Sequence, residues 1–377
     1  MNENDKPAEL EFVVEEPTEE PAEEPVGKPK KKAKKKARAS FPKLLTVSPS
    51  PHLKSTETTR SVMIEVMIAL TPALIWGIYV FGLRALTITV ISVGCCIGFE
   101  ALTQLILKRR ITVSDMSAAL TGMLIAMNMP VSVPLWIPVV ASAFAIIVVK
   151  QLFGGIGKNI VNPAMAARVF VMICWAGQMT KNTAPGARFP LFGSVQGGVD
   201  AVTAATPLAS LKQGVLPRTG LLDLLSGNIG GCIGEVSSAL LILGGIYLLI
   251  RKIISWRIPV AFIGTVAVLT FIFPQAGERL DFMLYEILSG GLMLGAIYMA
   301  TDYATSPISP TGRIVFGVGC GAITVLIRYF GGYPEGVSFA ILIMNLLVWY
   351  IDNAFMPRRF GSELAKKRER EKEEKKA

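Results

Sequence analysis

Two short stretches carry side chains whose type and spacing suit chemistry. In Asp200-Ala-Val-Thr203-Ala-Ala-Thr206-Pro, a hydroxyl sits in a run of small residues with an acid six positions before it. Small neighbours leave the Thr206 hydroxyl open to another enzyme's cleft, and Asp200 stands where it could assist a metal-dependent transfer onto that oxygen. Taken alone, the segment reads more readily as an ordinary hydroxyl-bearing loop. Asn159 and Asn162 are spaced i, i+3, which puts both amides on one face of a helix-like turn. They offer donors and acceptors without charge, or else cap a helix at the Pro-terminated turn they precede. Three acids, Glu65, Glu100 and Asp302, fall within or beside apolar stretches, where a carboxylate is costly and tends to be functional. They are candidates for an ion pathway, with snorkelling or structural pairing as the alternative. Asp302 lies in the polar stretch Met299 to Pro310, which is either a helix break lining a site or a plain connection.

Other chemistries find little support. His52 is the sole histidine, so histidine-ligated haem, zinc clusters and histidine-based triads are not expected. Cys95, Cys96, Cys174, Cys232 and Cys320 lie in or beside apolar runs without CxxC spacing. They suggest neither a disulfide scaffold nor a self-contained iron-sulfur or other metal site. The net charge of +10 does not point to nucleic acid, because the basic residues crowd at Lys28–Arg38 and Lys366–Lys376. There they flank apolar segments, as positive-inside retention requires.

These residues must be positioned by elements that live in lipid. Of 377 residues 51% are hydrophobic and only 18% charged, and mean hydropathy is +0.50. No ordinary soluble domain has that balance. Apolar runs predict an all-α integral membrane protein with ten transmembrane helices, at about 61–82, 84–107, 115–130, 132–149, 163–179, 233–250, 258–274, 283–300, 314–330 and 337–355. This count puts Lys108–Arg110, Lys150, Lys158, Arg251, Lys252, Arg257, Arg358 and Arg359 on one face with both termini, the cytoplasmic one. It leaves a polar loop at about 180–218 outside. No early apolar stretch marks a secretory signal, so the first span is expected to serve as its own insertion signal. Residues 1–44 read as a disordered cytoplasmic extension, acidic and then Lys-rich. Residues 45–356 form the membrane domain, and 357–377 a charged cytoplasmic tail. Leu120-Thr-Gly-Met-Leu-Ile-Ala-Met, with Phe153-Gly-Gly after it, resembles Met293-Leu-Gly-Ala-Ile-Tyr-Met-Ala, with Phe330-Gly-Gly after it. The two glycine pairs fall on opposite faces, as an inverted five-plus-five repeat with sites near the midplane requires. Chance likeness between Gly-rich apolar segments is the alternative.

The pattern Asp-x-x-Ser/Thr-Gly/Ala-Ala-Thr resembles the flavinylation motif, in which a flavin transferase joins FMN to a threonine through a phosphoester on the outer face. Ser48-Pro-Ser-Pro-His-Leu, the stretch from Lys158 to Phe170, and Tyr298-Met-Ala-Thr-Asp-Tyr-Ala-Thr-Ser-Pro extend the likeness. Together they resemble the family that includes the D subunit of the Rnf complex and the B subunit of the Na+-translocating NADH:quinone reductase, over about residues 45–355. The short core and compact loops favour the Rnf form. Thr203-Ala204 replaces the Ser-Gly of many members and leaves the acceptor Thr206 in place. The resemblance implies a bacterial inner-membrane protein of urea-channel-like fold, with FMN on Thr206 in a motif that includes Asp200 and Thr203. It implies a second, non-covalent flavin, riboflavin, near the cytoplasmic Asn159 and Asn162, whose amides suit an isoalloxazine edge. It also implies a redox-driven translocase that relays electrons between ferredoxin and NAD and moves Na+ or H+. The implied partners are a second FMN-bearing subunit, two small membrane subunits with an iron-sulfur centre between them, and cytoplasmic iron-sulfur and NADH-binding subunits. A secondary transporter or channel of the same fold without a redox role is the competing expectation, and a plain scaffold a third.

Overall fold

The computed structural model describes residues 57–186, 206–217, 219–355 and 370–374. Asp200, Thr203, most of the loop at 180–218 and the extension 1–44 lie outside the described residues. Helices dominate, and the described residues form no strand beyond one isolated bridge, Pro130 to Cys232. Each of the ten apolar stretches carries a helix or helix pair. Four helices are long and apolar enough to cross a membrane, or five if a bent pair is one span. The four are α1 (Thr59–Phe81), α2 (Leu83–Ile106), α13 (Pro310–Phe330) and α14 (Val337–Phe355). The bent pair, α11 (Arg279–Leu288) and α12 (Leu292–Met299), turns by 62° at Ser289 to Gly291.

The remaining apolar helices are shorter: α3 (Ser117–Met127), α4 (Trp136–Gln151), α5 (Pro163–Cys174), α9 (Ser238–Ile250) and α10 (Arg257–Ile272). Two of the expected spans shrink for local reasons. The fifth stops at Cys174 because Trp175 leaves helical geometry, and only a turn, α6 (Ala176–Met179), follows. The sixth starts at Ser238 rather than about 233, because Ile233 and Gly234 donate their N–H groups to Met129 O (3.1 Å) and Met127 O (2.7 Å). Their backbone closes the open end of α3 instead of starting a helix. Three helices begin on a side-chain cap followed by proline, which suits the first turn because it needs no N–H there. These caps are Asn162 on α5, Thr206 on α7 (Pro207–Lys212) and Ser309 on α13. A further short helix, α8 (Leu221–Ser226), precedes α9.

Packing follows membrane rules. Side chains such as Tyr79, Val90, Ile250, Val260 and Trp349 face outward. Arg84, Glu100, Lys150, Arg168, Glu286 and Arg328 are buried, the reverse of a soluble domain. Without a hydrophobic drive between helices in lipid, close backbone approach matters more. Gly317 and Gly321 of α13 lie against α10 so closely that a Cβ at either position would come within 2.9 Å of the Ile258 or Phe262 carbonyl oxygen. Helix α2 packs against α3 and α4, α10 packs against α11 and α13, and α1 meets α9 as α5 meets α14. The main core runs through all of these helices.

The segment carrying Thr206 is packed, although the sequence suggests a loop outside the helices. Leu208 and Leu211 of α7 are buried with Ala276 and Phe282 in a small core of their own. Lys212 ties the far end of α7 to the Gly331 and Tyr333 carbonyls, at 2.5 and 3.1 Å. Two leucines three apart give this six-residue helix an apolar face, and that face docks it.

Candidate functional site

The helix breaks converge on one side chain. Arg168 sits midway along α5, only 4% exposed, and three separate segments reach it, with a fourth bound to one of its partners. Asn128, just past the end of α3, accepts from Nη1. Glu235, in the extended segment before α9, accepts from Nη2 at 3.2 Å. Glu335, in the turn between α13 and α14, pairs with the same nitrogen. Gly291, at the bend between α11 and α12, donates its N–H to Glu335 Oε1 at 2.8 Å. A Cβ at Gly291 would lie 2.3 Å from Glu335 Oε1 and 3.4 Å from Arg168 Nη1, so the carboxylate would have to shift to admit one. One guanidinium thus faces two carboxylates, and among the described residues its Nε–H has no partner. Burial pushes the Glu335 carboxyl up to about 7, against the opposing pull of Arg168.

This cluster floors a cavity of about 240 Å³, and Thr206 stands on its rim. Met172, Met179, Leu208 and Ile229 supply apolar walls, and Thr180 and Asn182 supply polar ones. The Thr206 side-chain oxygen caps α7 by accepting from Ala209 N at 3.2 Å. The volume lies just under the roughly 300 Å³ at which small-molecule pockets begin. Its mixture of apolar walls, a buried cation and a rim hydroxyl fits the ring of a flavin held through that hydroxyl.

A second cavity, of about 80 Å³, lies at the other end of α5. Asn159, Asn162, Asp302, Ser117 and Lys150 line it, so the uncharged pair and one candidate acid do meet in space. The amides, however, are engaged. Asn162 Oδ1 accepts from Ala164 N (3.0 Å) and Met165 N (3.3 Å), and Nδ2 donates to Met299 O (3.2 Å). Asn159 Nδ2 donates to Val161 O at 3.2 Å. The cap role, kept open above, is the one the structure displays. About 80 Å³ is well below the roughly 300 Å³ of a small-molecule pocket, so a riboflavin ring does not fit this cavity as it stands.

The three candidate acids differ. Glu65 is tied to Tyr247 and, at 2.6 Å, to Arg251. Glu100 is buried in an ion pair with Lys150 at 2.8 Å, and Gln151 Nε2 reaches it at 3.0 Å. The last turns of α4, Phe144–Gln151, are π-wound. The wider turn swings the adjacent Lys150 and Gln151 to one side together. Among the described residues Asp302 meets no cation: it accepts from Thr305 Oγ1 at 3.1 Å and from two backbone amides, while burial raises its carboxyl. Sequence reasoning missed Arg168, Glu235, Glu335 and Lys150. It weighed only acids inside apolar runs, and bases there carry the same signal. Among the described residues no group of His, Cys, Asp and Glu could hold a metal ion.

Buried ion pairs inside and apolar side chains outside define a multi-pass helical membrane protein. The chain belongs to the NQR2, RnfD, RnfE family, whose profile matches residues 46–361. It is 47% identical over 328 residues to the D subunit of the Na+-translocating ferredoxin:NAD+ oxidoreductase complex of Acetobacterium woodii, covering 86% of this chain and 97% of that one. It is 39% identical to the D subunit of the proton-translocating ferredoxin:NAD+ oxidoreductase complex of Clostridium ljungdahlii, covering 85% and 97%. It is 38% identical to the D subunit of an ion-translocating oxidoreductase complex of Stutzerimonas stutzeri, covering 80% and 91%.

Proposed function

We propose that this chain is the membrane subunit of an ion-translocating electron-transport complex acting between ferredoxin and NAD, and that it carries FMN as a phosphoester on Thr206. The observation that carries the reading is the placement of Thr206 on the rim of a cavity floored by a buried arginine. The matched relatives, named as D subunits of such complexes, support the assembly and its ferredoxin and NAD chemistry. The partners follow from it: a second FMN-bearing subunit, small membrane subunits with their iron-sulfur centre, cytoplasmic iron-sulfur and NADH-binding subunits, and a flavin transferase during maturation. FMN supplies one-electron and two-electron redox chemistry when bound. The chain's own residues seat the ring, exclude water with Met172, Met179 and Ile229, and place the Arg168, Glu235 and Glu335 cluster beneath it. Nothing is routed through a riboflavin at Asn159 and Asn162, because that cavity would first have to widen.

The fold reading goes with it: ten crossings in an inverted five-plus-five repeat, urea-channel-like, in the bacterial inner membrane with both termini cytoplasmic. Its support is the matched packing of α2 on α3 and α4 and of α10 on α11 and α13, with α1–α9 and α5–α14 as the pairs where the halves meet.

Thr206→Ala tests the function. Wild-type protein should give a fluorescent band under ultraviolet light on a denaturing gel, and the variant none, at equal membrane content. Fluorescence persisting in Thr206→Ala removes the attachment site, and a dark wild-type band leaves the channel and scaffold readings standing. Orientation is tested with single cysteines. One placed near Gln196 should react with an impermeant thiol reagent added outside intact cells, and one near Ser309 should not. The opposite labelling inverts the topology and takes Thr206 away from the transferase.

A further inference from the structure

Among the described residues three buried cations form ion pairs with carboxylates, and they are not charged alike. Lys150 meets one carboxylate, Glu100, and Arg328 meets one, Glu286, at 2.6 Å. Arg168 meets two, Glu235 and Glu335. A purely structural lock needs only one, because a second buried carboxylate adds desolvation cost and mutual repulsion without adding a cation. With both acids ionised the cluster carries an excess negative charge at the floor of a cavity. A bound proton removes it.

Glu335 is the acid placed to take that proton. It sits in the turn at 331–336, 11% exposed by its side chain, and it lines the cavity through which water reaches it. Arg168 faces it from α5, Glu235 and Cys232 from the segment before α9, Arg328 from α13, and the Gly291 N–H from the bend between α11 and α12. Lys212 of α7 holds the same turn by its carbonyls. Burial against two cations and one acid leaves Glu335 near the midpoint between its two forms at neutral pH, its carboxyl pushed up to about 7. A charge arriving in the cavity would tip such a group, as any charge does at low dielectric.

We infer that Arg168, Glu235 and Glu335 form the charge-setting floor of the Thr206 cavity, and that the first electron placed on a cofactor tethered there is matched by one proton bound at a deprotonated Glu335. The inference rests on the reading that Thr206 carries the flavin. The electron comes from a one-electron reductant of the iron-sulfur class, which is oxidised. The proton comes from water at the cavity mouth and forms an O–H bond on the Glu335 carboxylate. On re-oxidation the electron passes to an acceptor, the Glu335 O–H bond breaks, and the proton returns to solvent. Arg168 is a positioning residue that holds both acids against the cavity while one of them changes charge.

The test is a redox titration of the covalent flavin in the purified, assembled complex, with dithionite as the reductant, between about pH 5.5 and 8.5. Below about 7 Glu335 already holds its proton and the midpoint should not move on its account. Above that, the reduced-to-oxidised ratio at fixed potential should fall a further about tenfold per pH unit, one proton per electron. Glu335→Gln should erase that bend, Glu335→Asp should keep it, and both should retain the fluorescent band on a denaturing gel. The reduced-minus-oxidised infrared spectrum of wild type at pH 8 should gain a protonated-carboxyl C=O band. A midpoint without the bend, a bend that survives Glu335→Gln, or no carboxyl band overturns the inference. The last readout decides the matter even if the glutamine variant fails to assemble. A wild-type complex with no fluorescent band removes the Thr206 reading and this inference with it, whereas a bright band with a flat profile removes the inference alone.

Discussion

The start and the middle of α5 border buried charges that are handled in opposite ways. Near its N-terminus, Lys150 and Glu100 neutralise each other, and Ser117 Oγ at 2.6 Å and Gln151 take up further hydrogen-bonding capacity. The cavity beside them is small, about 80 Å³. Six residues along α5, roughly 9 Å at 1.5 Å per residue, Arg168 is given one carboxylate too many and a cavity about three times larger. The first arrangement is balanced beside a small cavity, and the second is unbalanced beside a larger one. A buried ion pair therefore says little about function until its charges are counted and its access to solvent is known. Glu100 looks like an ion-pathway acid by sequence, yet it sits in the balanced region, while the titrating candidate, Glu335, lies outside the apolar runs.

The comparison breaks most sharply at Lys150. Lys150→Met should leave Glu100 buried without a cation, a cost of about 3–5 kcal/mol, seen as loss of folded protein or a large drop in the melting temperature of the purified complex. Lys150→Met with Glu100→Leu should recover most of that loss, because two apolar side chains of similar volume replace a neutral pair. If Lys150→Met is harmless, the pair is not a lock and the two regions do not differ as described.

Gly291→Ala probes the other region with a smaller stability effect. The added methyl meets the Glu335 carboxylate at 2.3 Å, so either the turn at 331–336 shifts or the carboxylate leaves Arg168. Overpacking of this kind costs about 1–3 kcal/mol. The damage should stay local: α3 to α5 should keep the protease resistance of wild type, while the covalent flavin's midpoint moves. An unchanged midpoint would mean that the cluster does not act on the cavity.

How much of this was legible in the sequence follows from how far apart the partners lie. The apolar stretches mark the helices because lipid demands them, and every expected span has a helix or helix pair in it. Thr206 and the Asn159/Asn162 pair could be found because each motif is local, and each borders a cavity. The Arg168 cluster could not, because Asn128, Glu235 and Glu335 lie 40, 67 and 167 residues away from it in sequence. Nothing in a one-dimensional pattern pairs them. Helix lengths were overestimated where tertiary contacts won over apolar content, as at Ile233 and Gly234, whose N–H groups serve α3 rather than α9. The docking of α7 was missed because its apolar face is two leucines in a polar stretch.

The smallest effect belongs to Asn159, and it decides whether the two cavities differ in kind or only in the state captured. Asn162 supplies the cap of α5 and a bond to Met299 O, so its loss would change stability as well as the cavity. Asn159 makes one local hydrogen bond, to Val161 O, whose removal in Asn159→Ala should cost no more than about 0.5–1.5 kcal/mol. The melting temperature should barely move and the covalent flavin band should be unchanged, since Thr206 lies beyond Arg168. Acid precipitation then separates bound from released flavin. If the amide only closes a turn, extractable riboflavin per complex should equal that of wild type. If instead the cavity widens around a ring whose polar edge Asn159 meets, the extractable flavin should fall while stability holds, because an unpaired polar edge in a desolvated site costs about 1–3 kcal/mol. That pairing of results would turn the balanced end of α5 into a second cofactor site and end the contrast drawn between the two regions.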